Sequence, residues 1–321
     1  MISPYCLNQE YSTTRRITRT APMIEDSTRS KSKSALFLPL RSKRNGEGGL
    51  RKQGNFKTEG YFDNGEESVD GDVITKRNPL ITVITAVFNA HKTLEQTILS
   101  VINQSYDNVE YIIIDGGSTD GTIDIIRKYE HAIDYWVSEP DAGVYQAMNK
   151  GVAVATGKWV YFLGADDKIN TSDCFENVAV IENIDDFLLI YGDVVYENGK
   201  LRHGIYTKKA LKIKNTIHHQ AAIYSRKVFD CFRYNEAYRI SSDYELNLKM
   251  VLLSQPALKI DVIMACCGSD GISGYASFAG YHEVIKIRST LIKYSFLYNL
   301  ATIIRFTAKK VIISLRRRRR D

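Results

Sequence analysis

The sequence predicts an α/β fold in which helices flank a mostly parallel, twisted sheet. Apolar, β-branched runs alternate with segments of helical periodicity between residues 80 and 266, and this alternation is typical of α/β proteins. Hydrophobic residues make up 44% of the 321 residues and charged residues 25%, which is ordinary for a folded protein with its own core. Polar residues follow the ends of the apolar runs, where α/β sheets bind ligands.

The first element is a strand over Leu80–Phe88, an uninterrupted apolar run. Such a run indicates a strand that is buried on both faces. Further strands are expected at Tyr111–Asp115, Trp159–Leu163, Leu188–Val195 and Leu258–Cys266. Apolar residues at helical spacing predict helices over His91–Gln104, Thr122–Tyr129 and Val144–Ala155.

Composition divides the chain into three regions. Residues 1–78 hold few apolar runs and are rich in Ser, Thr, Arg, Lys and Gly, so a flexible basic N-terminal segment is expected, most clearly at Arg41–Gly60. No long apolar segment follows its basic residues, and no secretory signal is expected. Residues 79–282 form the predicted folded domain, and residues 283–321 form a predicted tail. The five cysteines are scattered, which fits reduced thiols in a cytosolic protein.

The tail reads as a helix from about Glu283 onward, with apolar and basic residues interleaved. Its longest uncharged run, Tyr294–Ile304, is 11 residues long, too short to cross a bilayer. We therefore expect an amphipathic helix, closed by Arg316–Arg320, that lies on an anionic membrane surface. This predicts a cytoplasmic protein attached peripherally to the inner face of the plasma membrane. The alternative is a solvated helix with a tail that attracts nucleic acid.

The net charge of +6 is unevenly distributed. Residues 79–285 contain 18 Lys and Arg against 26 Asp and Glu. An acidic domain argues against nucleic acid as its partner. It fits a site that gathers carboxylates around a divalent metal.

Several common sites are excluded by spacing. Gly151 and Gly157 do not have the P-loop separation, and Trp159 stands where that motif requires Ser or Thr. No glycine-rich dinucleotide fingerprint follows the first strand, and no G-x-S-x-G nucleophile elbow occurs. The adjacent His218 and His219 lack partners at zinc spacing.

The remaining candidates are acidic. Asp166 and Asp167 end a buried strand, where adjacent carboxylates repel unless a cation or solvent neutralises them. Oxygen ligands of this kind suit Mg²⁺ or Mn²⁺, and the alternative is an ordinary turn. Asp243 stands where a helix is expected to begin, so it is either an ionised general base or a residue that satisfies free N–H groups at the helix start.

Three segments carry a resemblance to a known family: ITVITAVFNA, EYIIIDGGSTDGT and SEPDAGVYQAMNKGVAVATGKWVYFLGADD. Over roughly residues 79–250 the chain resembles the nucleotide-sugar domain of family 2 glycosyltransferases. More narrowly, it is similar to the bacterial branch that builds capsule, exopolysaccharide or lipopolysaccharide. The resemblance implies a GT-A fold, a UDP-sugar or other nucleotide-diphosphate-sugar donor, a divalent metal, and inversion at the anomeric carbon. It also implies a glycan or lipid-linked glycan as the acceptor.

The resemblance assigns donor-binding roles to residues at the ends of the strands. Phe88 lies where the family places an aromatic ring against the donor base, with Ala86 and Asn89 beside it. Asp115 corresponds to an acid that helps to hold the nucleoside. Asn149 lies in the family-specific segment, where donor contact and helix packing are both open.

The resemblance places the chemistry on later acids. Asp166 would face the donor ribose or sugar, and Asp167 would bind the Mg²⁺ or Mn²⁺ that bridges the diphosphate. Asp243 matches the acid that takes the proton from the acceptor hydroxyl. His219 and Gln220 resemble a His-Gln motif on the acceptor side.

The chain departs from the family pattern at two glycines. Many members have an acid at the position of Gly116, and this departure bears on which donor base is preferred. Many also have an acid at the position of Gly164, and without it the metal site is expected to rest on Asp167 with waters. The glycine-containing run Gly268–Gly280 is a candidate lid or an ordinary long loop.

Two other functions stay open. A sugar-phosphate nucleotidyltransferase needs a Gly-rich, basic loop directly after the first strand, and the residues that follow Phe88 lack one. An inactive carbohydrate-binding or scaffold protein at the membrane is the other alternative, and retention of both Asp167 and Asp243 speaks against it.

Overall fold

The computed structural model describes residues 6–23, 35–62, 76–268 and 278–317. The strands in this part of the chain are β1 (Gly46–Gly48), β2 (Gly60–Phe62), β3 (Lys76–Asn78), β4 (Ile81–Val87), β5 (Val109–Asp115), β6 (Tyr135–Ser138), β7 (Trp159–Phe162), β8 (Lys168–Ile169), β9 (Leu189–Tyr196), β10 (Leu201–Arg202), β11 (Ala222–Ser225) and β12 (Ala257–Cys267). One mixed sheet has the order β1-β6-β5-β4-β7-β11-β9-β12-β8, with β10 paired to β9, and β2 pairs with β3 separately.

The centre of the sheet is parallel. Strands β6, β5, β4 and β7 run in the same direction, and Val87 at the end of β4 lies opposite Asp115 at the end of β5. Strand β5 is buried along its whole length, as expected for a continuous apolar run covered on both faces. Because these strands end at one edge, the polar residues that follow them share that edge.

The second half of the sheet departs from the parallel pattern. Strand β11 is antiparallel to both of its neighbours, β7 and β9, whereas β9 and β12 are parallel to each other. The short β11 was not expected from the sequence, because four residues are too few to show a clear periodicity.

Helices cover both faces of the sheet. The α-helices in the described residues are α1 (Leu94–Ile102), α2 (Thr122–Lys128), α3 (Val144–Val154), α4 (Cys174–Ala179), α5 (Lys208–Ile213), α6 (Val228–Cys231), α7 (Ser242–Leu252), α8 (Phe278–Leu291) and α9 (Phe296–Arg317). Helices α1, α2 and α4 contribute to one hydrophobic core. Helices α3, α7 and α8 contribute to a second core on the other face.

The expectation that Arg41–Gly60 is a flexible lead-in is wrong. Strand β1 pairs with β6 and extends the sheet, and Leu50 is buried. Arg51 is also buried, where it forms an ion pair with Glu110 and donates a hydrogen bond of 2.7 Å to the carbonyl of Val154. These partners are distant in sequence, so the local composition could not indicate them.

The tail forms two helices rather than one, and the first begins at Phe278, earlier than Glu283. Residues 292–295 separate the two helices. Ser295, a residue type favoured just before a helix, accepts a hydrogen bond from Asn299 Nδ2 at 3.3 Å. No helix in the described residues is long and apolar enough to cross a membrane. Most of the candidate lid, residues 269–277, lies outside the described residues, as do Arg318–Arg320.

Candidate active site

The first part of the site follows β4. The Phe88 side chain is 64% exposed at the carboxyl end of the parallel strands, and Ala86 is half-buried just before it. Asn89 has a φ of +49°, a left-handed conformation that Asn tolerates better than most residues. Its backbone N–H donates to Ser118 Oγ (2.7 Å), and its Oδ1 accepts from the Thr119 N–H (3.0 Å). Asn89 therefore ties the loop after β4 to the loop after β5.

Asp115 shapes the loop after β5. Its buried carboxylate accepts hydrogen bonds from the backbone N–H groups of Gly117 (3.1 Å) and Ser118 (3.0 Å) and from Ser138 Oγ (2.6 Å). Ser118 Oγ is a further donor. The carboxylate thus holds the turn beside the expected nucleoside position, and its direct contact with a donor stays a prediction.

Asp141 occupies the space next to Gly116. A Cβ atom at Gly116 would lie 2.9 Å from Asp141 Oδ2, so a side chain at residue 116 would require the Asp141 carboxyl to move. Asp141 Oδ1 accepts from the Gly143 N–H at 2.9 Å. Burial raises the pKa of Asp141, and the nearby Asp115 and Glu139 raise it further. Asp141 was not expected at the site, although it lies in the family-specific segment.

Asp166 and Asp167 lie together over Gly164. Asp167 is buried, and its Oδ2 accepts from Gln220 Nε2 (2.6 Å) while its Oδ1 accepts from the Gly268 N–H (3.0 Å). A Cβ atom at Gly164 would overlap Asp167 Oδ2 and lie 3.1 Å from Asp166 Oδ1. Because Gly164 has no side chain, both carboxylates can occupy this space. This gives a steric reason for a glycine at a position where many family members have an acid.

Asp243 lies in the first turn of α7, as predicted. Its Oδ1 accepts from the Tyr145 hydroxyl (3.0 Å) and its Oδ2 from Asn215 Nδ2 (2.8 Å). His219 Nδ1 lies 3.9 Å from Oδ2. Burial raises the pKa of Asp243, and His219 and Tyr145 partly oppose that shift. Tyr145 and Asn215 come from two other parts of the chain, so Asp243 does more than accept hydrogen bonds from the free N–H groups at the start of α7.

Two consecutive residues connect the two acids. His219 faces Asp243, and Gln220 donates its hydrogen bond to Asp167. The Gln220 carbonyl accepts from the Tyr161 hydroxyl at 2.6 Å, which fixes this dipeptide on β7. Asp167 and Asp243, from distant stretches of the sequence, are therefore brought to one place.

Asn149 has contacts different from those expected of a donor-binding residue. Its Nδ2 donates to the Tyr234 carbonyl (2.9 Å), and its Oδ1 accepts from the Tyr234 N–H (3.0 Å). The ring of Tyr234 stacks on Tyr145 with 5.5 Å between centroids. Asn149 thus fixes the surroundings of the tyrosine that bonds Asp243, and donor contact by Asn149 stays a prediction.

The tail helix α8 supports the start of α7. The buried carboxylate of Glu283 accepts from three successive backbone N–H groups, those of Arg239 (2.7 Å), Ile240 (3.0 Å) and Ser241 (3.0 Å). These residues directly precede α7, so Glu283 fixes the chain on which Asp243 stands. Neither Glu283 nor Asn215 was expected at the site, because both act through contacts distant in sequence.

The acids present fit a hard divalent cation only in part. Among the described residues, no group of three or more His, Cys, Asp and Glu side chains is placed to hold a metal. Asp167 and Asp166 offer carboxylate oxygens side by side, and Mg²⁺ and Mn²⁺ often bind through one or two carboxylates together with substrate phosphate and water. These two residues are the ones that could hold such an ion.

Comparisons with known proteins place the chain among glycosyltransferases. The chain matches the family described as Glycosyl transferase family 2 over residues 82–246. It is 32% identical over 247 residues to the PGL/p-HBAD biosynthesis glycosyltransferase of Mycobacterium tuberculosis, covering 74% of this chain and 91% of the relative. It is 42% identical over 98 residues to TuaG of Bacillus subtilis, a glycosyltransferase named for teichuronic acid biosynthesis, covering 30% of this chain and 39% of TuaG.

A solved structure supports the fold. The crystal structure of residues 1–349 of S. aureus TarS is similar with a TM-score of 0.55 and 18% identity, covering 70% of this chain and 68% of that fragment. Together with the family match, this likeness confirms the predicted GT-A type of α/β fold.

Proposed function

Because the chain belongs to glycosyltransferase family 2, we propose that it transfers a sugar from a nucleotide-diphosphate donor to a hydroxyl group, with inversion at the anomeric carbon. The acceptor is a glycan or a lipid-linked glycan. The observation that carries the proposal is that the consecutive residues His219 and Gln220 contact Asp243 and Asp167, respectively.

The donor nucleoside binds at the ends of β4 and β5. Phe88 offers an exposed aromatic face on which a base can stack. The loops around it are held by Asn89 and Asp115, so the surface for the base is formed in advance. A UDP-sugar is the first donor to test, since TarS has been solved in complex with UDP-GlcNAc and with UDP.

Asp243 is the general base. It removes the proton of the acceptor hydroxyl, whose oxygen attacks C1 from the face opposite the leaving diphosphate. The Tyr145 hydroxyl and the Asn215 amide hold the carboxylate in one orientation. The burial that raises its pKa also makes it a stronger base than an exposed carboxylate, and base strength matched to the working pH favours proton transfer.

Asp167 would hold Mg²⁺ or Mn²⁺, and Asp166, which the resemblance assigns to the donor ribose or sugar, offers a second carboxylate beside it. A bound divalent cation stabilises the negative charge that develops on the leaving diphosphate. Gln220 and the Gly268 N–H fix the orientation of the Asp167 carboxylate, and such supporting contacts commonly tune metal sites.

The biological setting belongs to the same proposal. A role in the assembly of a bacterial surface polysaccharide, such as capsule, exopolysaccharide or lipopolysaccharide, is supported by the name of TuaG. A cytoplasmic location is part of the same proposal.

The test is a donor screen by mass spectrometry with the full chain, Mn²⁺ and a lipid-linked acceptor extract. We expect transfer from one nucleotide sugar, an anomeric configuration in the product opposite to that of the donor, and a rate about 10³-fold lower in Asp243→Asn. Asp124→Asn, at a largely exposed position on α2, is the matched control and retains the rate. Transfer by Asp243→Asn at the rate of the unmodified protein, or retention of configuration, would overturn the proposal.

A further inference from the structure

Helix α9 presents a row of large apolar side chains to solvent. Phe296, Leu297, Leu300, Ile303 and Ile304 are 72%, 72%, 41%, 50% and 59% exposed. Their spacing places them on one face of the helix, and we call them the apolar stripe. Single exposed apolar residues are normal on protein surfaces, whereas a contiguous row marks an interaction site.

The opposite side of α9 is fixed to the protein. Thr302 is buried, and its hydroxyl accepts from Arg288 Nη1 at 2.6 Å. Arg288 is itself buried on α8, and its Nε donates to the Tyr244 hydroxyl at 2.9 Å. This hydrogen bonding sets the rotation of α9 about its axis, so the stripe faces outward because the helix is held that way.

The positive charge of the tail indicates which kind of surface the apolar stripe would bind. Residues 286–321 contain 11 Lys and Arg and one Asp. Apolar residues on one helix face combined with a strongly basic segment are typical of helices that lie in the interface of an anionic bilayer. A second copy of the chain would bring two such basic tails together, and their repulsion disfavours a dimer through this face.

We propose that the apolar stripe inserts into the surface of an anionic phospholipid bilayer, with α9 lying in the plane of the membrane. The inference goes beyond the proposed reaction, since docking requires neither a donor nor an acceptor. It adds an orientation: Arg288 contacts both Thr302 on α9 and Tyr244, the neighbour of Asp243. A docked α9 therefore holds the helix of the proposed base at a fixed position relative to the lipid.

The test measures binding of the full chain to vesicles. Removal of residues 286–321 would also remove Arg288, so point substitutions on the stripe are the cleaner change. The variant is Leu297→Gln/Ile304→Gln, and the matched control is Leu253→Gln, because Leu253 is 70% exposed outside the tail. Vesicles of phosphatidylcholine alone and of phosphatidylcholine with phosphatidylglycerol separate apolar from anionic binding.

We expect the unmodified protein and Leu253→Gln to co-sediment with the anionic vesicles, and binding to weaken as salt is raised. The double variant should bind the anionic vesicles at least about tenfold more weakly than the unmodified protein, with an unchanged melting temperature. Unchanged binding of the double variant, or no binding of the unmodified protein to anionic vesicles, would overturn the proposal. A dimer in light scattering that the double variant disrupts would instead identify a second copy as the occupant, and would also overturn it.

Discussion

Asp115 and Asp243 are both buried carboxylates near the proposed site, yet the protein holds them in different ways. Asp115 accepts from Gly117 and Ser118, its close neighbours, and from Ser138 on the adjacent strand. Asp243 is held by groups from distant parts of the chain, and its pKa is raised by burial. The first carboxylate supports a loop, whereas the second is the proposed general base and has a raised pKa.

The largest effect on stability is expected from Asp115→Ala. The substitution leaves the N–H groups of Gly117 and Ser118 without their acceptor in a buried loop. We expect the free energy of unfolding to fall by about 3 kcal/mol, measured by denaturant titration. A variant that keeps its stability but loses donor binding would show that Asp115 acts on the nucleotide and not on the loop, and would remove the contrast with Asp243.

An intermediate effect is expected from Glu283→Gln. The backbone N–H groups of Arg239, Ile240 and Ser241 cannot reverse their direction, so the amide NH₂ of Gln would oppose at least one of them. We expect about 1–2 kcal/mol of lost stability and a kcat about tenfold lower with the donor KM unchanged, because the start of α7 shifts. If kcat and donor KM changed equally, Glu283 would not act only by positioning Asp243.

The smallest effect concerns the stability of Asp243→Asn as a function of pH. The folded-state pKa of Asp243 is raised, so ionisation of this carboxyl destabilises the fold above that pKa and has no cost below the ordinary carboxyl pKa. Asn fits the same contacts, because its oxygen can accept from Asn215 and the Tyr145 hydroxyl can accept as well as donate.

We therefore expect Asp243→Asn to be more stable than the unmodified protein at neutral pH, and the difference to vanish as the pH falls through the raised pKa of Asp243. Thermal unfolding over a pH series measures this difference. An Asp243→Asn protein that is less stable at neutral pH would mean that the ionised Asp243 carboxylate supports the fold.

The same contrast explains how much the sequence could predict. The strand expected over Leu80–Phe88 is found at Ile81–Val87, because a continuous apolar run is a local signal. The packing of Arg51, the contact from Asn215 and the support from Glu283 are tertiary, and no local pattern encodes them. The space at Gly164 is also a property of the folded chain, since the Asp166 and Asp167 carboxylates lie where a Cβ atom at residue 164 would be.

The family resemblance identified the candidate acids, and the structure showed how they lie relative to each other. Asp167 and Asp243 could be chosen from sequence motifs, but their connection through His219 and Gln220 required the structure. Asp141 shows the opposite case, because it lies in the family-specific segment, but only the structure places its carboxyl next to Gly116.

The most direct test of the central claim is the Mn²⁺-dependent affinity of the full chain for uridine and guanosine diphosphates, measured by calorimetry. If Asp167 serves the diphosphate and Asp243 the acceptor, Asp167→Asn lowers the metal-dependent affinity by about tenfold or more, while Asp243→Asn binds like the unmodified protein. Metal-dependent affinity that survives in Asp167→Asn, or falls equally in both variants, would contradict this division of roles.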